Sequence, residues 1–303
     1  MTDQAQLIQP LLIQTFLHAG SGTWSYVVSR GHDAVVIDPV LDYDAPSGRI
    51  GTDTAGRLLQ HVANHGLRVH NILETHAHAD HLSAAAFLRT HTAAPIGIGS
   101  QIRAVQAHFA DVFQLAADDP ALTDAFDRTL CDGDSIDAGA LHIAVLSTPG
   151  HTPDGVSYRI DGNVFVGDTL FAPDIGTARC DFPGGSVEQL YASIQRLHAL
   201  PDDTVLWLCH DYPPQGREAR ASITVGESRR DNRMLRGDTS LSAFSEARRA
   251  RDATLPAPAL LYPSLQVNIR GGRLPGADSD RYYLRTPVLI DPDIAARLTA
   301  QYR

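Results

Sequence analysis

Apolar positions along the chain alternate between a two-residue period and a helical period. Trp24, Tyr26 and Val28 alternate, and Ala34 to Ile37 form a short apolar run ending at Asp38, so residues 22–38 read as a hairpin. Ala55, Leu58, Leu59 and Val62 fall at i, i+3, i+4 and i+7, which predicts an amphipathic helix, and Gly66 is placed to end it. Residues 68–74 read as a strand that runs into THAHADH at 75–81. Next come a helix at 83–88, a strand at 95–99, and a helix over 101–127 with Val105, Phe109, Val112 and Phe113 near one face. Residues 141–147, 155–160 and 163–167 read as three strands around the loop TPGHTPDG.

Ser186 and Gln189 have capping-box spacing, and Val187, Leu190, Tyr191, Ile194 and Leu197 continue as a helical stripe. TVLWLC at 204–209 reads as a buried strand that leads into His210. Arg is frequent over 217–251, but Glu and Asp are interleaved, which predicts a solvated helical face. PAP at 256–258 reads as a short linker, and 260–290 as strand-rich. No repeat or low-complexity tract breaks the alternation. The expectation is one α/β domain over 1–303, with 255–303 as its strand-rich C-terminal extension.

Composition narrows the function classes. The chain has 303 residues, 43% hydrophobic and 20% charged, ordinary values for a globular protein. No apolar stretch approaches the roughly 20 residues of a membrane span. MTDQAQLIQP lacks the pattern of a secretory leader, so a cytoplasmic location is expected. The formal net charge of −10 argues against nucleic acid as a partner. All 25 basic residues are Arg, which removes lysine Schiff-base chemistry and a phosphate-loop lysine. Cys131, Cys180 and Cys209 are too scattered for a disulfide scaffold or a cysteine zinc knuckle.

The chemistry lies in His76-x-His78-x-Asp80-His81, joined by His151, Asp168 and His210. Imidazole and carboxylate are ligand types for zinc, iron and manganese. Each group follows a predicted strand, the arrangement expected when one edge of an α/β sheet forms a site. His18, His32, His61, His65, His70, His91, His108, His142 and His198 are expected at the surface or core edge. A single histidine is unremarkable, whereas five with two aspartates at strand ends predict metal binding.

This set, THAHADH with TPGHT, GDTLF and CHDY, resembles the metallo-β-lactamase superfamily. The resemblance covers residues from about 15 to 235 and implies a four-layer αββα sandwich, with the metal at one edge of two sheets. GTARCDFPGG at 176–185 resembles the persulfide dioxygenases, as do His210-Asp211-Tyr212 and ITVGESRRDN at 223–232. PSLQVNIRGGRLP at 263–275 resembles the tail of a longer bacterial branch. The resemblance implies one Fe(II) per chain, held by His76, His151 and Asp168, with positions left open for a persulfide sulfur and O₂. The implied reaction converts glutathione persulfide and O₂ to sulfite and glutathione. His78, Asp80, His81 and His210 would hydrogen-bond ligands or water, with Asp80, His81 and His210 as the candidate catalytic residues.

By the same resemblance, Arg179 is the candidate to grip a substrate carboxylate with its planar fork, against an internal ion pair to Asp181 or Asp38. Tyr212 is a second candidate contact, against an ordinary edge aromatic. Cys180 and Cys209 read as structural, Asp38 as support for the site, and Phe109 and Phe113 as core or a pocket wall. A homodimer is implied by the resemblance alone.

Two other functions compete. In a dinuclear zinc thioester hydrolase resembling glyoxalase II, His76, His78 and His151 would hold one metal and Asp80, His81 and His210 the other, with Asp168 bridging. That family binds glutathione partly through lysine, which this chain lacks. The other is a catalytically silent metal-binding module holding iron or zinc. Its intact ligand set argues against decay.

Overall fold

The computed structural model describes residues 9–116, 118–276, 281–288, 290 and 294. Two six-stranded sheets form its centre. In the first, strands run in the order Leu12–His18, Thr23–Arg30, Asp33–Ile37, Arg68–Leu73, Ile96–Gly99 and Arg128–Leu130. The first three pair antiparallel and the rest parallel. In the second, the order is Ser135–Ala138, Leu141–Ser147, Val156–Ile160, Asn163–Phe165, Val205–Trp207 and Ser222–Thr224. Asn163–Phe165 and Val205–Trp207 pair in parallel, so both end on the same edge.

Helices α1 (Asp53–Asn64), α2 (Ala85–Thr92), α3 (Ile102–Phe113) and α4 (Pro120–Thr123) precede the second sheet in the chain. Helices α5 (Val187–His198), α6 (Val225–Asp231), α7 (Leu241–Asp252) and α8 (Leu261–Asn268) come later. The strand alternation explains the layers. Tyr26, Val28, Val35 and Ile37 face a core shared with Ile143, Val145, Tyr158 and Phe165 of the second sheet. Val27, Val36 and Ile72 face the other way, onto Leu58 of α1, Leu88 of α2 and Val105 of α3. Val164 and Leu206 pack on Leu190 and Ile194 of α5 and Phe244 of α7. The result is the expected helix–sheet–sheet–helix sandwich.

The structure departs from the sequence reading in three places. The helix expected over 101–127 stops at Phe113, where Gln114 takes a left-handed conformation. Pro120 restarts a single turn, capped by the Asp119 side chain. Strands at Leu12–His18, Arg128–Leu130 and Ser135–Ala138 have too little apolar alternation to be read from the sequence.

The stretch 260–290, expected to be strand-rich, contains α8, and no named strand lies there among the described residues. Ser264, Leu265, Gln266, Val267 and Asn268 are consecutive and all buried. A helix covered on every side shows no amphipathic stripe, so its apolar run is indistinguishable from a strand. Leu265, Val267 and Ile269 belong to the same core cluster as α1, α2 and α3.

Candidate metal centre

Parallel pairing places the two halves of the histidine-rich loop's support side by side. Asp33–Ile37 lies along Arg68–Leu73, and the Asp38 N–H donates to the Leu73 carbonyl at 2.9 Å. Asp38 then turns with φ of 48°, a conformation aspartate tolerates better than most residues. Its carboxylate accepts from the Thr75 N–H at 2.7 Å and the Thr75 hydroxyl at 2.9 Å. Thr75 Oγ1 is 3.0 Å from His76 Nδ1. Because that hydroxyl donates to Asp38, it accepts from His76 Nδ1–H. This fixes the tautomer and leaves His76 Nε2 with a free lone pair.

The second sheet supplies the remaining groups. His151 follows Leu141–Ser147, Asp168 follows Asn163–Phe165, and His210 follows Val205–Trp207. Gly150 has φ of +139°, and a Cβ there would sit 2.3 Å from Leu190 N, so the backbone entering His151 needs glycine. His151 Nδ1 donates to the Arg179 carbonyl at 2.7 Å, which again leaves Nε2 as the lone-pair nitrogen. His76 Nε2 and His151 Nε2 lie 4.0 and 3.6 Å from Asp168 Oδ2. One ligand atom from each of the three lies within 4.8 Å of the others.

A second group, His78, Asp80, His81 and His210, satisfies the same spacing. His210 Nε2 is 3.5 Å from Asp80 Oδ2 and 3.4 Å from Asp168 Oδ1. Thr23 Oγ1 stands among Asp80, His81 and His210 at 3.3–3.4 Å, carried by a strand residue that pairs with His210. His78 Nε2 faces two carboxylates, Asp38 at 3.1 Å and Glu74 at 3.3 Å.

The donor set fits a metal ion. His76 Nε2, His78 Nδ1, His81 Nε2, His210 Nε2 and Asp168 Oδ1 are all buried without a hydrogen-bond partner. Orphaned polar atoms are rare in folded interiors, and five converging on one edge are satisfied together by a cation.

Electrostatics divide the cluster. Burial, helped by His78 and His151, holds the His76 imidazole well below its usual range. Burial pushes His81 down to about 4. Burial pulls on His210 too, but the Asp168 and Asp80 carboxylates outweigh it and hold that imidazole well above the usual value. For His78, burial is likewise outweighed, chiefly by Asp38. Burial pushes Asp80 up, and His210 and His81 bring it well below the ordinary carboxylate range.

Around the centre the sequence reading divides. Asp38 supports the site as expected. The fork of Arg179 is taken up within the chain, near the surface. Nε and Nη2 hold Asp181 Oδ1 and Oδ2 at 2.5 and 2.6 Å, and Nη1 donates to the Pro256 carbonyl at 2.7 Å. The internal ion pair is therefore the arrangement present, to Asp181 and not Asp38, and the part of Arg179 next to the centre is its carbonyl. Tyr212 stacks on His210 at 5.6 Å between ring centroids and is 48% exposed.

Phe109 and Phe113 are buried in the core, and the ring that borders His151 is Phe182, at 5.9 Å. Cys180 and Cys209 are buried, and burial pushes the Cys180 thiol up to about 12 and raises Cys209. Thr23, Glu74 and Asn268 were missed. Isolated polar residues in apolar runs carry no periodic signal. Among the described residues no helix is long and apolar enough to cross a membrane.

The family described as the metallo-beta-lactamase superfamily matches residues 19–210. A probable metallo-hydrolase of Burkholderia pseudomallei is 44% identical over 92% of this chain and 99% of its own length. Glyoxylase B2 of Dictyostelium discoideum is 40% identical, covering 90% of this chain and 94% of that protein. Human mitochondrial persulfide dioxygenase ETHE1 is 28% identical over 87% of this chain and 89% of its length. The crystal structure of ETHE1 from Myxococcus xanthus superposes with a TM-score of 0.69 at 29% identity, covering 86% of this chain and all of that one. Against the beta-lactamase hydrolase-like protein of Agrobacterium fabrum, the chain spans 62% of the relative's length.

Proposed function

The chain belongs to the metallo-β-lactamase superfamily, and from that premise we propose that it is a mononuclear non-haem Fe(II) persulfide dioxygenase. It oxidises glutathione persulfide with O₂ and water to sulfite and glutathione. The observation that carries this reading is the His76–His151–Asp168 set on a fold that matches an ETHE1 over that protein's whole length. Two imidazole rings oriented through Nδ1–H, beside one carboxylate, make a two-His, one-carboxylate set.

Fe(II) held there would relay electrons from the persulfide sulfur to O₂, redox chemistry that zinc cannot supply. The protein's own part is positional. Thr75 and the Arg179 carbonyl hold the two rings by their Nδ1–H, so each Nε2 points inward without searching rotamers. Phe182 and Phe171 place apolar rings beside His151 and His210, which keeps bulk water from the reacting sulfur. The part-exposed Tyr212 ring, stacked on His210, is the substrate contact of this reading. Arg179 is not.

One observation favours a second reading, a dinuclear zinc thioester hydrolase. His78 Nδ1, His81 Nε2 and His210 Nε2 are orphaned as well, so a second ion has a complete ligand set. The test uses protein purified without oxygen and reconstituted with Fe(II). The dioxygenase gives one iron per chain, with O₂ uptake and sulfite release in equal amounts on adding glutathione persulfide. Two zincs per chain, no O₂ uptake and cleavage of S-lactoylglutathione would replace this reading with the hydrolase.

A further inference from the structure

The loop that carries His76 to His81 is held from outside as well as from below. Its far end, at 78–83, lies under the C-terminal end of α8, nearly 190 residues away in sequence. Asn268 is 4% exposed, and its side-chain amide has three partners there. Nδ2 donates to the His78 carbonyl at 2.8 Å and to the His81 carbonyl at 2.8 Å. Oδ1 accepts from the Ser83 N–H at 2.8 Å. Carbonyls only accept and a backbone N–H only donates, so the amide orientation is determined. A buried amide with both N–H groups spent on two histidine carbonyls fixes where those histidines' backbones lie.

The chain after Asn268 is shaped for the same contact. Gly271 and Gly272 have φ of +63° and +81° and close the end of α8, with the Gly272 N–H donating to the Val267 carbonyl at 3.1 Å. A Cβ on Gly272 would lie 2.9 Å from both Ser83 O and Ala86 N, so backbone meets backbone at the turn following the loop. From the other side, Gln106 Nε2 of α3 donates to the Ile269 carbonyl at 2.9 Å and seats the hook on the core. Contact also passes from Ser83 into the site. The Ser83 hydroxyl donates to Glu74, whose other oxygen is 3.3 Å from His78 Nε2.

We propose that the Asn268–Gly272 hook is a positioning element of the metal centre, with Asn268 as the positioning residue that sets His78 and His81. The segment beyond residue 255 thereby completes a loop encoded in the first third of the chain. The inference rests on the reading that the histidine–aspartate cluster holds a metal, and it is independent of which reaction the metal serves.

The experiment measures affinity of the full chain for Fe(II) and Co(II) by chelator competition, with the visible absorption of the Co(II) form as a report of ligand geometry. Asn268→Asp keeps the shape, removes both N–H donors and sets oxygen against the His78 and His81 carbonyls. Asn268→Ser removes the reach without adding charge, and serves where the aspartate variant does not fold. Both are expected to lose about 10–100-fold in affinity and to change the Co(II) spectrum.

Gln106→Leu loosens the seat of the hook without touching the loop. It is expected to lower stability while keeping affinity within about twofold. Native affinity and spectrum in the Asn268 variants would overturn the proposal. So would affinity losses in all three variants that simply follow their loss of stability. If the unmodified chain takes up neither metal, it is the reading of the cluster that fails.

Discussion

The two halves of the candidate metal centre set one residue type against different partners. On the side of His76 and His151, each Nδ1–H goes to a neutral oxygen, Thr75 Oγ1 or the Arg179 carbonyl. On the side of His78 and His210, the rings sit against carboxylates, Asp38 with Glu74 and Asp168 with Asp80. Burial works against charge everywhere in the cluster, so the partner decides the outcome. Burial, with His78 and His151 beside it, holds His76 well below its usual range, whereas the carboxylates facing His210 and His78 outweigh burial and raise both. A ligand set counted from sequence treats these histidines as equivalent. The structure separates them by partner: neutral oxygens orient the rings of one half, and carboxylates face the rings of the other.

The comparison breaks most severely at the residue both halves share. Asp168 touches His76 and His151 through Oδ2 and His210 through Oδ1. Asp168→Ala is expected to abolish metal uptake and bring activity to background, as metal analysis and O₂ consumption will show. His210→Ala cuts only the second half. The expected outcome is one metal per chain, as in the unmodified protein, with activity reduced about 10–100-fold. Two metals in the parent falling to one in the variant would show that the halves hold an ion each.

Arg179→Gln separates the carbonyl from the guanidinium. The carbonyl that orients His151 stays, while the fork to Asp181 goes. KM for the persulfide is expected to change less than about threefold, and stability to fall by about 0.5–1 kcal/mol in denaturant titration. A tenfold rise in KM with kcat retained would restore the side chain as a substrate grip.

A last prediction concerns a histidine outside the centre. Burial pushes His198 down to about 4, and its Nε2 pairs with the Ser228 hydroxyl at 3.0 Å. The unfolded chain binds this proton near the ordinary imidazole value of 6.5, whereas the folded chain resists it until about 4. Its contribution is therefore complete above 6.5 and is lost as pH falls towards 4, on the order of 3 kcal/mol in all. Metal-free His198→Asn should show a shallower loss of stability between those pH values than the metal-free parent. An unchanged acid limb would remove His198 as its cause.

The histidines of the cluster were legible because they follow strands with a clear apolar pattern, and strand ends on one edge converge. Arg179 was placed beside the centre from its segment, but the direction of its side chain was not in the pattern. Asp181, two residues on, captured it. Asn268 was invisible, since one amide inside an apolar run differs in no periodic way from a core-edge residue.

The sequence by itself determined the central strands with a clear apolar pattern, their inward and outward faces, and which side chains would meet at their ends. Those properties follow from local periodicity and from polar groups placed where strands stop. Only the tertiary structure decided which histidines face carboxylates and which face neutral oxygens, whether Arg179 points in or out, and that 260–290 contains a buried helix clasping the metal loop. Each depends on partners distant in sequence. Burial strengthens those contacts but carries no instruction about where the partner lies along the chain.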